Sequence, residues 1–386
     1  MKEGWTTGKF SDIFDLQMGK TPSRDNPSYW GGTNAWVAIA DMNCGKYICD
    51  TKECITDSAI SESGIHLVCK DTVIMSFKLS IGKTAIATKD LYTNEAIMSF
   101  NTKDGFDILP DYIYYYLRGY KWQGMNKAVM GMTLNKKAIS NNSFSFPSLS
   151  EQQHIVEELD LLSSIIKKKK AQLNELDNLA QSLFYEMFGD PIINEKGWEV
   201  KNLKDISSIG TGATPSRTKE TLYYGGGIPW VKTTEVHNCD ITTTEETITQ
   251  LALEQTNCKI YPPNTLLMAM YGQGKTRGQI AKLKISAATN QACAAIILDE
   301  FMCNFVFVYE LLHLEYDNIR NMAQGGNQAN LNMKLVGSIP IILPPLDMQN
   351  LFASKIETIE QQKLLINRSI KEVEMMFNSR MDYYFN

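Results

Sequence analysis

Two stretches of the chain carry an apolar stripe that steps by four and three without a break. Over residues 150–189 it runs through Ile155, Leu159, Leu162, Ile166, Lys169, Leu173, Leu176, Ala180, Leu183 and Met187. Over residues 347–386 it runs through Phe352, Ile356, Ile359, Lys363, Ile366, Ile370, Val373, Phe377, Arg380 and Tyr384. This is the spacing of a coiled-coil seam, and it predicts two long helices. At ~1.5 Å per residue, about 35 to 40 residues make a rod of roughly 55 Å, and a rod that is apolar on one stripe needs a partner helix. Lys169, Lys363 and Arg380 interrupt the stripes where polar residues set register. Ser150, with Gln153 three positions on and Pro147 before it, is the expected N-cap of the first helix, and Asp347 after Pro344-Pro345 that of the second. Gly189-Asp190-Pro191 is the expected stop.

Elsewhere the apolar runs are short. "AWVAIA", "TVIMSF", "TLLMAM" and "QACAAIIL" are bounded by Gly, Asn and Asp turns and read as strands, with one helix near "PDYIYYYLRGY" and a counterpart in "NFVFVYELLHLEY". Sliding the sequence against itself by 193 to 197 residues brings the halves into register. Thr21-Pro22-Ser23-Arg24 falls on Thr214-Pro215-Ser216-Arg217, Gly31-Gly32 on Gly225-Gly226, and Trp36 on Trp230. Gly82-Lys83-Thr84 falls on Gly274-Lys275-Thr276, Thr93-Asn94 on Thr289-Asn290, and Leu134-Asn135 on Leu331-Asn332. The expected fold class is therefore α/β (α+β): two tandem mixed α/β domains, residues 1–149 and 190–346, joined by two long helices, 150–189 and 347–386, that form an antiparallel coiled coil.

Composition narrows the functional class. The chain has 386 residues, 44% of them hydrophobic, and a net charge of −5. No apolar run reaches the ~18 residues of a membrane span, and "MKEGWTTGKF" lacks the apolar core of a signal peptide, so a cytoplasmic protein with no membrane association is expected. The eight cysteines form no Cys-x-x-Cys pair, and four histidines leave little to complete a metal site. Charge balances along the chain, with 16 basic against 15 acidic side chains over residues 1–149 and 13 against 15 over 190–346. A broad positive surface is excluded as the means of binding.

Recognisable catalytic patterns fail on spacing. Gly274-Lys275-Thr276 lacks the glycine that a phosphate loop needs five positions earlier, where Ala269 stands. Asn26-Pro27-Ser28-Tyr29 resembles the tetrapeptide of amino-methyltransferases, but it stands without a Gly-rich cofactor loop and reads as a turn. No nucleophile elbow or recurring pair of carboxylates is present. What recurs is polar chemistry on turns: Lys20, Thr21, Ser23, Arg24, Lys78, Lys83 and Thr84 in the first half, and Thr214, Ser216, Arg217, Tyr271, Gln273, Lys275, Thr276, Arg277, Gln328 and Asn330 in the second. Arg, Lys, Asn and Gln read base edges, while Ser, Thr and Tyr commonly meet phosphates. These are the candidate DNA-binding residues.

The doubled Gly-x-Thr-Pro-Ser, Gly-Gly and Trp-Val pattern, the Leu-Asn followed by Pro-x-Leu-x-x-Gln, and the two long helices resemble the specificity (S) subunits of type I restriction-modification systems over essentially the whole chain. The resemblance implies two target recognition domains, each reading half of a bipartite site in double-stranded DNA. It implies helices that pack antiparallel, dock two methyltransferase (M) subunits and set the half-site spacing, with restriction (R) subunits joining through the complex. Methyl transfer and ATP-driven cleavage would belong to those partners, leaving this chain non-catalytic with no cofactor of its own. The alternative is a standalone restriction or methylation enzyme with its own catalytic site.

Overall fold

A computed structural model describes residues 4–43, 45–78, 80–123, 126–128, 131–272, 274–323 and 330–386. The two long helices run Leu149–Phe188 and Leu346–Phe385. The chain divides into two units, Met1–Lys170 with Arg368–Asn386, and Ala171–Asn367. Each unit thus holds the start of one long helix and the end of the other.

In the first unit a five-stranded sheet has the order Phe14–Met18, Ile97–Thr102, Val73–Ser76, Thr84–Ala87, Tyr47–Ile48. All its pairings are antiparallel except the last, which is parallel. A separate three-stranded sheet has the order Glu53–Ile55, Trp30–Val37, Tyr92–Thr93, and Thr6–Lys9 pairs with Ser143–Phe146. The second unit repeats this plan. Its five-stranded sheet has the order Ser207–Thr211, Cys293–Leu298, Thr265–Ala269, Ile280–Leu283, Cys239–Ile241. A further sheet holds Glu246–Ile248, Tyr224–Val231, Ala287–Thr289 and Ile260–Tyr261. The fold is therefore the mixed α/β pair with two long helices that the repeat and the stripes call for.

The doubled Gly-Gly step has a local cause. In both halves the strand that carries it slips register against its antiparallel neighbour, between Trp30 and Asn34 and between Tyr224 and Ile228. The second glycine of each step faces a backbone carbonyl: a Cβ on Gly32 would lie 2.3 Å from the Ile55 oxygen, and one on Gly226 2.4 Å from that of Ile248. Only glycine lets a bulge close this tightly.

The helix starts differ from expectation by about half a turn. Leu149 and Leu346, not the residues after Ser150 and Asp347, are the first helical positions. The anchor is Gln152, whose amide donates to the Pro147 oxygen at 3.0 Å while its Oε1 accepts from the Leu109 backbone at 2.9 Å. Gln349 repeats both bonds, to Pro344 at 2.7 Å and from Asn304 at 2.9 Å. The expected capping residue Gln153 instead bonds Glu157 on the surface. Gly189 ends the first helix as expected, in the left-handed conformation at φ 77°.

Seam residues fall into two groups. Near the helix ends they belong to the domain cores: Ile155, Leu159 and Leu162 in the first unit and Phe352, Ile356 and Ile359 in the second are buried. Ile155 and Leu159 share a core with Met381, Tyr384 and Phe385 from the far end of the other helix, with Phe377 packed against it. Phe352, Ile356 and Ile359 share one with Phe184 and Phe188, flanked by Leu176 and Leu183. Toward the middle Ile166, Leu173, Ile366 and Val373 are half-buried, and Ile370 is buried. Of the polar seam residues, Arg380 and Lys363 find partners on the facing helix. Arg380 forms a bidentate pair with Glu158, which also accepts from Tyr384 at 2.5 Å, and Lys363 reaches Asp177 at 2.7 Å. Within each unit the helices therefore run antiparallel. No described helix is long and apolar enough to cross a membrane.

Candidate nucleic-acid interface

In each unit four chain segments are tied side by side by backbone hydrogen bonds, and the sequence motifs sit on them. The first is the Gly-x-Thr-Pro-Ser-Arg turn. A Cβ on Gly19 would lie 2.2 Å from the Thr93 carbonyl oxygen, and one on Gly212 1.8 Å from that of Thr289. The approach is this close because the same carbonyls accept from Lys20 N at 2.8 Å and Ala213 N at 3.0 Å. From the other side the Trp36 and Trp230 indoles each donate at 3.1 Å, to the carbonyls of Lys20 and Ala213. Pro22 and Pro215 are buried.

The second segment is the turn after Thr93 and Thr289. Its Asn side chains fold it, with Asn94 Oδ1 accepting from Ala96 N at 3.0 Å and Asn290 Oδ1 from Ala292 N at 3.2 Å. Thr21 donates to the Glu95 carboxylate, and Thr214 donates to Gln291 Oε1 at 2.5 Å. The Thr21 hydrogen bond holds the Glu95 carboxyl below its usual range. The third segment is the Gly-Lys-Thr turn, joined to the second by Phe77 N to Ala96 O at 2.9 Å and Met270 N to Ala292 O at 2.8 Å. The fourth is the Leu-Asn loop, joined to the third by Leu134 N to Phe77 O at 2.9 Å and Leu331 N to Met270 O at 3.0 Å. Asn135 and Asn332 each cap the short helix that follows.

The candidate side chains divide by what they touch. Arg24 makes two hydrogen bonds to Glu53, at 2.6 and 2.8 Å, and its guanidinium lies 3.7 Å from the Trp30 ring centre. Arg217 pairs with Glu246 at 2.7 Å and lies 4.0 Å from the Tyr224 ring centre. The Arg24 hydrogen bonds hold the Glu53 carboxyl below its usual range. Burial opposes ionisation of Glu246, but the bonds from Arg217 and Lys232 outweigh it and leave that carboxyl low as well. Both arginines are thus engaged in folding the turn. Thr84 is buried on the Gly82 carbonyl, Lys83 donates to Asn43 at 2.7 Å, and the Ser216 hydroxyl meets that of Thr218 at 2.8 Å. Thr276 and Arg277 are half-buried.

Lys20, Ser23, Tyr271, Lys275 and Asn330 are exposed. The ammonium groups of Lys20, Lys78 and Lys275 have neither hydrogen bond nor ion pair among the described residues. Gln273 and Gln328 lie outside the described residues. The third residues of the Thr-Asn turns, Glu95 and Gln291, and the arginine partners Glu53 and Glu246 went unnoticed in the sequence. The signal was present: each glutamate follows its arginine by 29 residues. Among the described residues no group of His, Cys, Asp and Glu could hold a metal ion.

The sequence matches the type I restriction modification DNA specificity domain twice, over residues 2–177 and 195–375. It is 26% identical over 399 aligned residues to the type I restriction enzyme MjaIX specificity subunit of Methanocaldococcus jannaschii, covering 95% of this chain and 91% of that protein. To the EcoR124I/EcoR124II specificity subunit of Escherichia coli it is 24% identical, covering 61% and 58%. The fold resembles the type I restriction-modification S subunit from M. genitalium, with a TM-score of 0.56, 12% identity and coverage of 98% and 95%. It also resembles a chain from a structure concerned with complex assembly and conformational transition of the type I R-M system, at TM-score 0.65, 15% identity and coverage of 100% and 98%. With both repeats matched and the tandem fold in place, the chain belongs to the specificity subunits of type I restriction-modification systems.

Proposed function

We propose that each unit reads one half of a bipartite site in duplex DNA through its four-segment face, and that the chain itself carries out no chemistry. The observation behind this reading is the contrast between frame and filling. Glycine contacts, indole bonds, Asn-folded turns and backbone ties repeat in both units, whereas the side chains left for a ligand differ. The first unit offers Lys20, Ser23 and Lys78, and the second offers Tyr271, Lys275 and Asn330. Two readers of different short sequences require such a division, because base readout rests on a few side chains held by a rigid scaffold.

The long helices then serve as platform and spacer, docking two methyltransferase subunits, with restriction subunits joining through the assembly. Large apolar side chains on the outer sides of the helices support this role. Leu364 is 71% exposed, Leu365 66%, Met375 65% and Met376 56%, and exposed apolar side chains gathered on one element mark surfaces where proteins associate. Methyl transfer and cleavage would reside in those partners. The test is to exchange residues 1–149 for the corresponding part of a relative, co-express the chimaera with the methyltransferase subunit, and map methylated adenines. One half of the site should change while the other half and the spacer stay. A change in both halves would overturn the two-reader arrangement.

A further inference from the structure

The two units are built alike, yet one position in their interiors is filled in the first and hollow in the second. The domain helices Pro110–Gly119 and Phe305–Leu314 correspond through their N-caps, Leu109 and Asn304, which make the same backbone bond to Gln152 and Gln349. Tyr115 therefore corresponds to Glu310. The long helices end in Phe188 and Phe385, which pack alike on Phe307 and Tyr112. Ala180 therefore corresponds to Phe377.

In the first unit Tyr115 and Phe377 meet with ring centres 6.2 Å apart, and the Tyr115 hydroxyl donates to Asp160 at 2.5 Å. In the second unit Glu310 and Ala180 stand at these positions and line a cavity of about 730 Å³. That volume falls within the ~300–1,000 Å³ of pockets that hold small molecules. Had the space only lost packing, apolar walls would be expected. The walls are polar instead: Asp177 and Gln181 come from the first long helix, Glu360 and Lys363 from the second, and Asp240 and Lys282 from the sheet.

The charges in the cavity are paired with one exception. Lys282 is bound to Asp240 at 3.1 Å, and Lys363 to Asp177 and Glu360 at 2.7 Å each. Glu310 has no hydrogen bond and no ion pair among the described residues. Burial pushes its carboxyl up to about 7, against the pull of Lys282 and Lys363 and with Glu360 and Asp177 adding to the rise. His313, one turn along the same helix, has its pKa pushed down, first by burial and then by Lys363. Four carboxylates thus face two lysines, and the one without a partner is the one that replaces a tyrosine.

We propose that this cavity is a binding site for a small organic cation, a diamine or guanidinium compound, whose charged nitrogen pairs with Glu310. An anion would meet an excess of carboxylates and two lysines already engaged. A bare metal ion lacks its ligands, since no cluster of three suitable groups occurs among the described residues. A charge-assisted hydrogen bond to an otherwise unpaired carboxylate is the strong interaction available here.

The test is isothermal titration calorimetry on the purified full-length chain at physiological salt, with agmatine and 1,4-diaminobutane as probes and inorganic phosphate as the anion control. One saturable site for agmatine, the diamine or both, is expected. Its affinity should rise roughly tenfold between pH 6 and pH 8 as Glu310 ionises, whereas ordinary surface carboxylates are already charged throughout that range. Glu310→Gln removes the charge and keeps the shape, and should abolish binding. Ala180→Phe installs the side chain that the first unit carries and should abolish it too, with circular dichroism checking its fold. Absence of saturable binding by either amine, binding of phosphate instead, or undiminished amine binding by folded Glu310→Gln would overturn the proposal, even if Ala180→Phe failed to fold.

Discussion

Gly212→Ala probes the frame of the recognition face directly. The added Cβ would sit 1.8 Å from the Thr289 carbonyl oxygen and 2.5 Å from both its carbonyl carbon and its Oγ1. A carbon needs about 3.3 Å from an oxygen, so the turn must move away by roughly 1.5 Å. The atoms it meets cannot swing aside, because Thr289 is held in a strand whose register is fixed against Val231. Moving the turn breaks the 3.0 Å bond from Ala213 to the same carbonyl and draws the Trp230 indole off its acceptor. Overpacking costs ~1–3 kcal/mol and a lost buried hydrogen bond about 1 kcal/mol more, so a loss of roughly 2–4 kcal/mol is expected. Gly227→Ala is the control, since nothing lies within 4 Å of its Cβ and the change should stay within about 0.5 kcal/mol. Urea unfolding of both variants, followed by tryptophan fluorescence, measures the difference. Equal midpoints for the two would refute the claim that this glycine is dictated by the Thr289 carbonyl.

Other substitutions separate phosphate contact from base readout and frame from ruler. Lys275→Ala should weaken binding to all duplexes and lower the salt slope by about one, whereas Arg277→Ala or Gln328→Ala, if either side chain meets a base, should cost about 1–3 kcal/mol at a single base pair in competition binding. The Glu158 carboxyl is held low, chiefly by its hydrogen bond from Arg380. Its stabilisation is therefore present above the unfolded value and lost as pH falls through the folded one, so wild type and Glu158→Gln should differ in urea midpoint at pH 7 and converge only once the pH has fallen below the ordinary carboxylate range. Four residues inserted near Gln172, with four at the facing point of the second helix, add ~6 Å of rod. At ~3.4 Å per base pair the mapped methylation spacer should lengthen by one or two base pairs, and an unchanged spacer with full activity would show that the helices measure nothing.

Patterns that repeat within the chain were legible, because a duplicated fold writes its constraints twice. The seam spacing identified both helices, and the shift of the sequence against itself identified the tandem domains. Side-chain destinations were much less legible. Arg24 and Arg217 have the chemistry of base readers, but they sit on turns while their partners Glu53 and Glu246 lie on strands, and only the pairing of those strands with the one that follows each turn brings each pair together. The helix entry was misplaced because Ser150 and Gln153 satisfy a local capping pattern, whereas Gln152 satisfies a distant one at Leu109 and Pro147. Local rules see neighbours in sequence, and these competitors are neighbours only in the fold. Glu310 illustrates the same limit, since nothing in its helix announces that Ala180 would leave it facing an open space.

The distribution of cations bears on how such a subunit can hold DNA at all. Many of the basic side chains around the two faces are consumed internally: Arg24 by Glu53, Arg217 by Glu220 and Glu246, and Lys232 by Glu245 and Glu246. Of the candidate lysines, Lys20, Lys78 and Lys275 keep ammonium groups without such partners among the described residues. Each phosphate neutralised contributes about 0.9 to the dependence of log affinity on log salt. Binding by the isolated chain through these two faces should therefore have a slope of no more than about 3, shallow beside that of proteins that grip DNA by its charge. Adding methyltransferase subunits should steepen the slope while leaving the preferred sequence unchanged, because the partners would supply phosphate contacts and this chain the base contacts. Fluorescence anisotropy with cognate and scrambled duplexes, from 50 to 200 mM salt, with and without the partner, separates the two contributions. A slope near 10 for the chain alone would mean that a basic surface other than these faces carries the DNA, and the assignment of the recognition loops would fall with it.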